Sequence, residues 1–243
     1  MKGILSLLSG IMMCLIACKN SDQDVIRTAA TIQVINAVVD VPVVKVNPSG
    51  GRYSFKKTTD SVKYSANKFY FSPTGGSSIR AVASPDSTKV LFSRSVNLKS
   101  AVYTLYLAGT AASPDTLFRE EVNFPFISMN KMFTAADSIV NVRFVNLSPN
   151  STPIKVRIAN AATDEIANLP YKTIGSWKAY PAKLTSTPYS FQVRSVADDA
   201  LLATFNLTAN AANRFKNVTL VIKGLQGTTT GVNAFGVFMV NYY

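Results

Sequence analysis

Histidine is absent from this 243-residue chain. Its absence removes the commonest general base and the commonest side-chain metal ligand, so a histidine-based catalytic triad is excluded. Cysteine is almost absent: the only two thiols are Cys14 and Cys18, both near the start. Nothing beyond Cys18 can close a disulfide within the chain or serve as a catalytic thiolate. Acids are scarce, thirteen Asp and Glu against 25 Lys and Arg, for a net charge of +12. The basic residues are scattered rather than gathered into a stripe, which argues against a nucleic-acid partner. After the N-terminus, no stretch beyond about ten residues carries a 3.6-residue apolar stripe, so helices are not expected.

What the N-terminus does hold is a short greasy run. Lys2 is followed by Gly3–Ala17, uncharged and rich in Leu, Ile and Met. A helix of that length rises about 22 Å, short of the roughly 30 Å hydrocarbon core of a bilayer. A charged start, an apolar centre and small residues before a break describe a secretory signal. The break, Leu15-Ile16-Ala17-Cys18, resembles the bacterial lipobox. That resemblance implies removal of residues 1–17 and acylation of Cys18, whose lipid chains contribute about 0.8 kcal/mol per buried methylene. The plainer alternative is an ordinary secretory signal with a chance cysteine. Lys19-Asn20-Ser21-Asp22-Gln23-Asp24 then resembles the export signal of Bacteroidetes surface lipoproteins, or reads equally as a polar tether. The expectation is a lipidated tether over 18–30 and an outer-membrane location, on the cell surface or the periplasmic face.

Past the tether, the chain repeats itself. Ile32, Val34 and Asn36 line up with Val142, Phe144 and Asn146, and Val43-Val44-Lys45-Val46 with Ile154-Lys155-Val156-Arg157. Ile79–Ala83 answers Val193–Ala197, Val96-Asn97-Leu98 answers Phe205-Asn206-Leu207, and Thr104–Gly109 answers Thr219–Gly224. These five matches in one order point to two tandem domains, 31–127 and 138–243, joined by a linker over 128–137. The local grammar is strand and turn. Ile154, Val156 and Ile158 alternate with Lys155, Arg157 and Ala159, while "VYTLYLAG" and "NVTLVIKG" are β-branched and aromatic runs stopped by glycine. The predicted fold is all-β: two tandem antiparallel Ig-like β-sandwich domains held by packing alone.

Val142-Arg143-Phe144-Val145-Asn146-Leu147-Ser148-Pro149-Asn150, followed by Pro153-Ile154-Lys155-Val156, resembles the domain of unknown function 4397 family. The first repeat departs from that motif, with Ala37-Val38-Val39-Asp40 in place of Leu-Ser-Pro-Asn. The resemblance implies β-sandwich domains on envelope lipoproteins, with no established activity.

Catalytic motifs are missing: no Gly-x-Ser-x-Gly elbow, no phosphate loop and no calcium loop. The adjacent acids Glu120-Glu121, Asp164-Glu165 and Asp198-Asp199 read as solvated turn or strand-end residues, since neighbours on a strand face opposite ways. No enzyme activity and no cofactor are expected, and the function read from the sequence is a binding module, with an envelope-complex subunit as the alternative. Candidate ligand contacts are Trp177, the only tryptophan, with Tyr171 and Tyr180, because exposed aromatic rings stack on sugar C–H faces. The competing reading places Trp177 in a core between sheets. Expected partners are the membrane through the lipid anchor, and a glycan or an envelope protein. Ser61, Ser87, Thr116 and Ser138 each follow an aspartate in a pattern resembling the Bacteroidetes O-glycosylation sequon, though Asp-Ser pairs also build turns.

Overall fold

A computed structural model describes residues 29–58, 60–122, 124–125, 138–182, 188–209 and 213–242. The signal segment 1–17, Cys18, most of the tether and the linker 128–137 lie outside the described residues. Among the described residues every regular element is a strand, and the chain is all-β, as its alternating pattern predicts.

The first sandwich has two four-stranded sheets. Its inner sheet runs β4 (Ala66–Pro73), β1 (Ala29–Asn36), β7 (Val102–Gly109), β8 (Pro114–Glu120). Its outer sheet runs β3 (Val62–Lys63), β2 (Val43–Asn47), β5 (Gly75–Ala83), β6 (Val90–Leu98). The second sandwich repeats the plan. The inner sheet is β12 (Lys178–Pro181), β9 (Ile139–Asn146), β15 (Asn217–Lys223), β16 (Gly236–Tyr242), and the outer one β11 (Asp164–Leu169), β10 (Ile154–Ile158), β13 (Tyr189–Ser195), β14 (Leu201–Leu207). Most pairs are antiparallel. The exceptions are the two central pairs, β1 with β7 and β9 with β15, which run parallel. Ala29 and Ala30, read as the end of the tether, already belong to β1.

Three apolar layers hold these four sheets. Ile32, Val34, Leu105 and Leu107 point into the first sandwich, and Phe144, Phe191, Leu220 and Ile222 into the second. The third layer lies between the sandwiches: Ile35, Ala37, Tyr106 and Ala108 of the first meet Val145, Val221, Val240 and Tyr242 of the second. The inner sheets are therefore covered on both faces. This is why their central strands read as unbroken apolar runs, whereas β10 and β13 alternate. Truncating a core ring such as Phe191 to alanine costs about 3–5 kcal/mol.

The register refines the repeat. Val44 pairs with Ala83 as Ile154 pairs with Ser195, so Val44 is the counterpart of Ile154, one place along from the match by sequence. A one-residue slip on a strand exchanges its faces, and it is Val44 and Val46 that are buried, as are Ile154 and Val156. Likewise Ala81, not Ile79, is the counterpart of Val193; a two-residue shift preserves the faces and leaves no trace in the apolar pattern.

The repeated asparagines have one job. Asn36 Nδ2 donates to the carbonyls of Val41 and Val62, and its Oδ1 accepts from the Val38 amide. Asn146 Nδ2 donates to Ser151 Oγ and the Leu169 carbonyl, and its Oδ1 accepts from the Ser148 amide. Each caps its first strand and ties the following loop to the other sheet. Gly109 and Gly224 also match, with φ of 78° and 80° and backbone so close that an added Cβ would meet it at 2.4 and 2.2 Å.

Candidate functional site

The joint between the sandwiches accounts for two of the three aromatic candidates. Arg143 stands on β9, facing the first sandwich, with a side chain only 3% exposed. Its Nη1 and Nη2 donate to Glu121 Oε2 and Oε1, each at 2.8 Å, in a two-pronged pair across the joint. Nη2 also donates to the hydroxyls of Tyr106 and Tyr242, and Nε to Thr219 Oγ1. Burial pushes the Glu121 carboxyl upward, but the hydrogen bonds and charge of Arg143 outweigh it and hold the group below its ordinary value. Burial raises the Tyr106 and Tyr242 phenols. Trp177, half-buried, lies over the guanidinium with 4.4 Å from Cζ to its ring and meets Tyr242 edge-on. A ring covering Arg143 is committed to the joint.

Tyr171 belongs to the same joint. The backbone O of Asn36 accepts from Ser65 and that of Asn146 from Lys172, two residues of positive φ, which makes Tyr64 the counterpart of Tyr171. Tyr64 reaches toward Gly224 of the second sandwich, and Tyr171 toward Gly109 of the first. These reciprocal contacts relate the two halves by an approximate two-fold axis, as in a symmetric dimer fused into one chain. Lys172 with Asp115 (2.7 Å) and Asn233 with Asp40 (2.5 Å) close the joint at its loop end.

Tyr180 lies elsewhere, 6% exposed in the core of the second sandwich and stacked edge-on against Tyr189 and Phe191. The three aromatic candidates therefore share no exposed platform. Tyr180 does, however, edge a cleft of about 250 Å³, lined by Val142, Phe144, Glu165, Ile166, Gly175 and Lys178. The cleft follows from a difference between the repeats. In the first, the residue opposite Ile32 on the edge strand is Tyr70, which is buried in the core. In the second, the residue opposite Val142 is Lys178, whose side chain is 52% exposed. A lysine at a core-facing position cannot close the sandwich edge, so the apolar floor stays open.

Its polar rim is tightly linked. Lys178 Nζ donates to Glu165 Oε2 at 2.7 Å and Tyr180 Oη donates to the same oxygen at 2.8 Å. Burial raises the Glu165 carboxyl but these two donors outweigh it, leaving it below its ordinary value, while burial and the Glu165 bond push the Tyr180 phenol up. An ionised carboxylate, an ammonium and a phenol thus ring an apolar floor. Sequence reasoning missed Lys178 and read Glu165 as a solvated turn or strand-end acid, whereas it lines the cleft and is held by Lys178 and Tyr180. The signal for them was a lysine at a core phase of the strand, legible only with the register known.

The remaining acids are mostly paired: Asp164 with Arg157, Asp199 with Lys155, Arg157 and Arg194, and Asp60 with Lys68. Among the described residues no cluster of His, Cys, Asp or Glu could hold a metal ion. The modification candidates are scattered and half-buried. Thr116 sits on β8 beside Asp115 of the joint, Ser61 follows the Asp60–Lys68 pair, and the Ser138 carbonyl accepts from the Ala182 amide. Ser87 lies in the β5–β6 turn, where Asp86 Oδ1 accepts from the Thr88 amide and hydroxyl. The chain matches no protein-family model and no curated protein.

Proposed function

We propose that this chain is a non-catalytic envelope lipoprotein, anchored in the outer membrane through Cys18, that binds a neutral saccharide in the cleft rimmed by Glu165 and Lys178. The reading rests on the open cleft that Lys178 creates in the second sandwich where Tyr70 closes the first. An apolar floor suits the C–H face of a pyranose, and a carboxylate beside an ammonium supplies both an acceptor and donors for its hydroxyls. The volume, about 250 Å³, suits one sugar unit rather than a long chain. Kinship with the domain of unknown function 4397 family belongs to the same proposal and is supported by the motif around Asn146. No helix among the described residues is long and apolar enough to cross a membrane.

The test is a titration of the full chain with neutral saccharides, read by amide NMR shifts at the cleft and by the emission of neighbouring Trp177. Lys178→Tyr fills the cleft as Tyr70 does and is expected to weaken binding about tenfold or more, a difference of about 1.4 kcal/mol. Absence of shifts in the wild type, or equal binding by the variant, overturns the reading. One observation favours a second reading, an envelope-complex subunit: Phe71 is 69% exposed on β4, an edge strand. Stoichiometric capture of one envelope protein, lost in Phe71→Ser, would establish it.

A further inference from the structure

The outer face of the first sandwich carries a second trough, unlike the cleft in chemistry. It occupies about 560 Å³ and is lined by Ser49, Gly50, Gly76, Ser78, Ser95 and Asn97. Its floor is a ladder of small residues, because Gly76 pairs with Asn97 and Ser78 with Ser95 across β5 and β6. No large side chain interrupts it. The wall is built rather than draped. Asn47 Oδ1 accepts from the amides of Ser49 and Gly50, and Asn47 Nδ2 donates to the Gly51 carbonyl. Gly50, at φ 73°, rests so closely on Ser78 that a Cβ would meet its atoms at 3.0 Å, so no other residue seats this wall without displacement.

Charge gives the trough its direction. The outward positions of its sheet include Lys45, Lys63 and Arg80, and no carboxylate occupies an outward position of β2, β3, β5 or β6. Lys45 Nζ donates to the Phe55 carbonyl, which fixes the following loop over the sheet. Across the rim at β6 the surface continues past Arg94, Arg119 and Glu120, again with cations in excess. Hydroxyl and amide groups on the floor match a hydroxylated ligand, and a border in which cations outnumber carboxylates favours anions over cations.

We propose that this trough binds an acidic polysaccharide, held by Arg80 at the ladder's end and by the hydroxyls of Ser78 and Ser95. It is independent of the Lys178 cleft, which takes a neutral sugar in the other sandwich.

The full chain is titrated with polygalacturonate, dextran sulfate and uncharged dextran at low and high salt. The first two arms separate carboxylated from sulfated sources. Binding to at least one acidic polymer, none to dextran, and affinity falling about tenfold between about 50 and 500 mM salt are expected. Arg80→Glu and Ser95→Glu, both at exposed positions, should each weaken it about tenfold or more with unchanged melting temperature. Lys178→Tyr, which removes one positive charge outside the trough, should leave it within about twofold. No binding by the wild type at low salt overturns the proposal. So does a loss in Arg80→Glu no greater than in Lys178→Tyr, which would mark a diffuse charge effect. Either result leaves the neutral-sugar titration standing by itself.

Discussion

Arg143 and Glu121 face each other across the two sandwiches at positions whose repeat counterparts are Gln33 and Tyr242. Gln33 stands three residues before Asn36 as Arg143 does before Asn146; Glu121 bonds to Val102 where Tyr242 pairs with Asn217. The approximate two-fold that relates the halves would place Gln33 beside the strand of Tyr242, and there Gln33 Nε2 donates to the Asn241 carbonyl at 3.0 Å. One half of the joint has thus become a buried ion pair while the other stays neutral. Two copies of the same half would bring either two carboxylates or two guanidiniums into one dry layer without partners, so the asymmetry favours unlike halves.

Removing one partner of that pair leaves an uncompensated buried charge. Arg143→Ala is expected to destabilise by about 3–5 kcal/mol, whereas the double variant Arg143→Met with Glu121→Met should recover much of the loss. Denaturant unfolding of the three proteins checks it. Equal losses in single and double variants would mean that packing, not charge, holds the joint.

The acid limb of stability follows from the same carboxyl. Glu121 is held below its ordinary value in the folded chain, so its contribution is fully present above the unfolded value near 4.3. It is lost as pH falls through the folded value. Glu121→Gln should therefore flatten the decline of stability below about pH 4.

At the alkaline end the sign reverses. The Tyr106 and Tyr242 phenols are raised by burial, so the folded state keeps protons that the unfolded chain releases. Stability should fall as pH rises above about 10. The share of tyrosine absorbance that belongs to Tyr106 and Tyr242 should then appear with unfolding rather than ahead of it.

Trp177 is the only tryptophan and covers Arg143, so its emission reports the joint. Its red shift in denaturant should coincide with loss of β circular dichroism if the sandwiches open and unfold together. A red shift at lower denaturant would show the joint opening first.

Asn36 and Asn146 offer a test of the repeat itself. Each makes equivalent side-chain bonds at the end of its first strand, so Asn36→Ala and Asn146→Ala should cost similar amounts, about 1–3 kcal/mol.

Much of the fold was legible before any coordinates. Alternation at Ile154–Ile158, glycine stops at Gly109 and Gly224, and the paired Val-Asn segments follow from local backbone chemistry, which acts over a few residues. Those signals are enough for strands, turns and a duplicated sandwich. The candidate site was less accessible. Tyr180 was found as an aromatic near Trp177, yet the two rings serve different layers, and Lys178 carried no visible mark. Whether a residue on β12 faces core or solvent depends on which residue of β9 it opposes, and one bulge near Gly175 changes that. Likewise, Arg143 reads as one of many scattered cations until the sandwiches meet. By itself the sequence determined the all-β, two-copy architecture, because strand periodicity and turn chemistry are written in neighbouring residues. Only the tertiary structure decided that Arg143 is buried against Glu121, 22 residues away along the chain, and that the Lys178 edge stays open, because both depend on packing between distant strands.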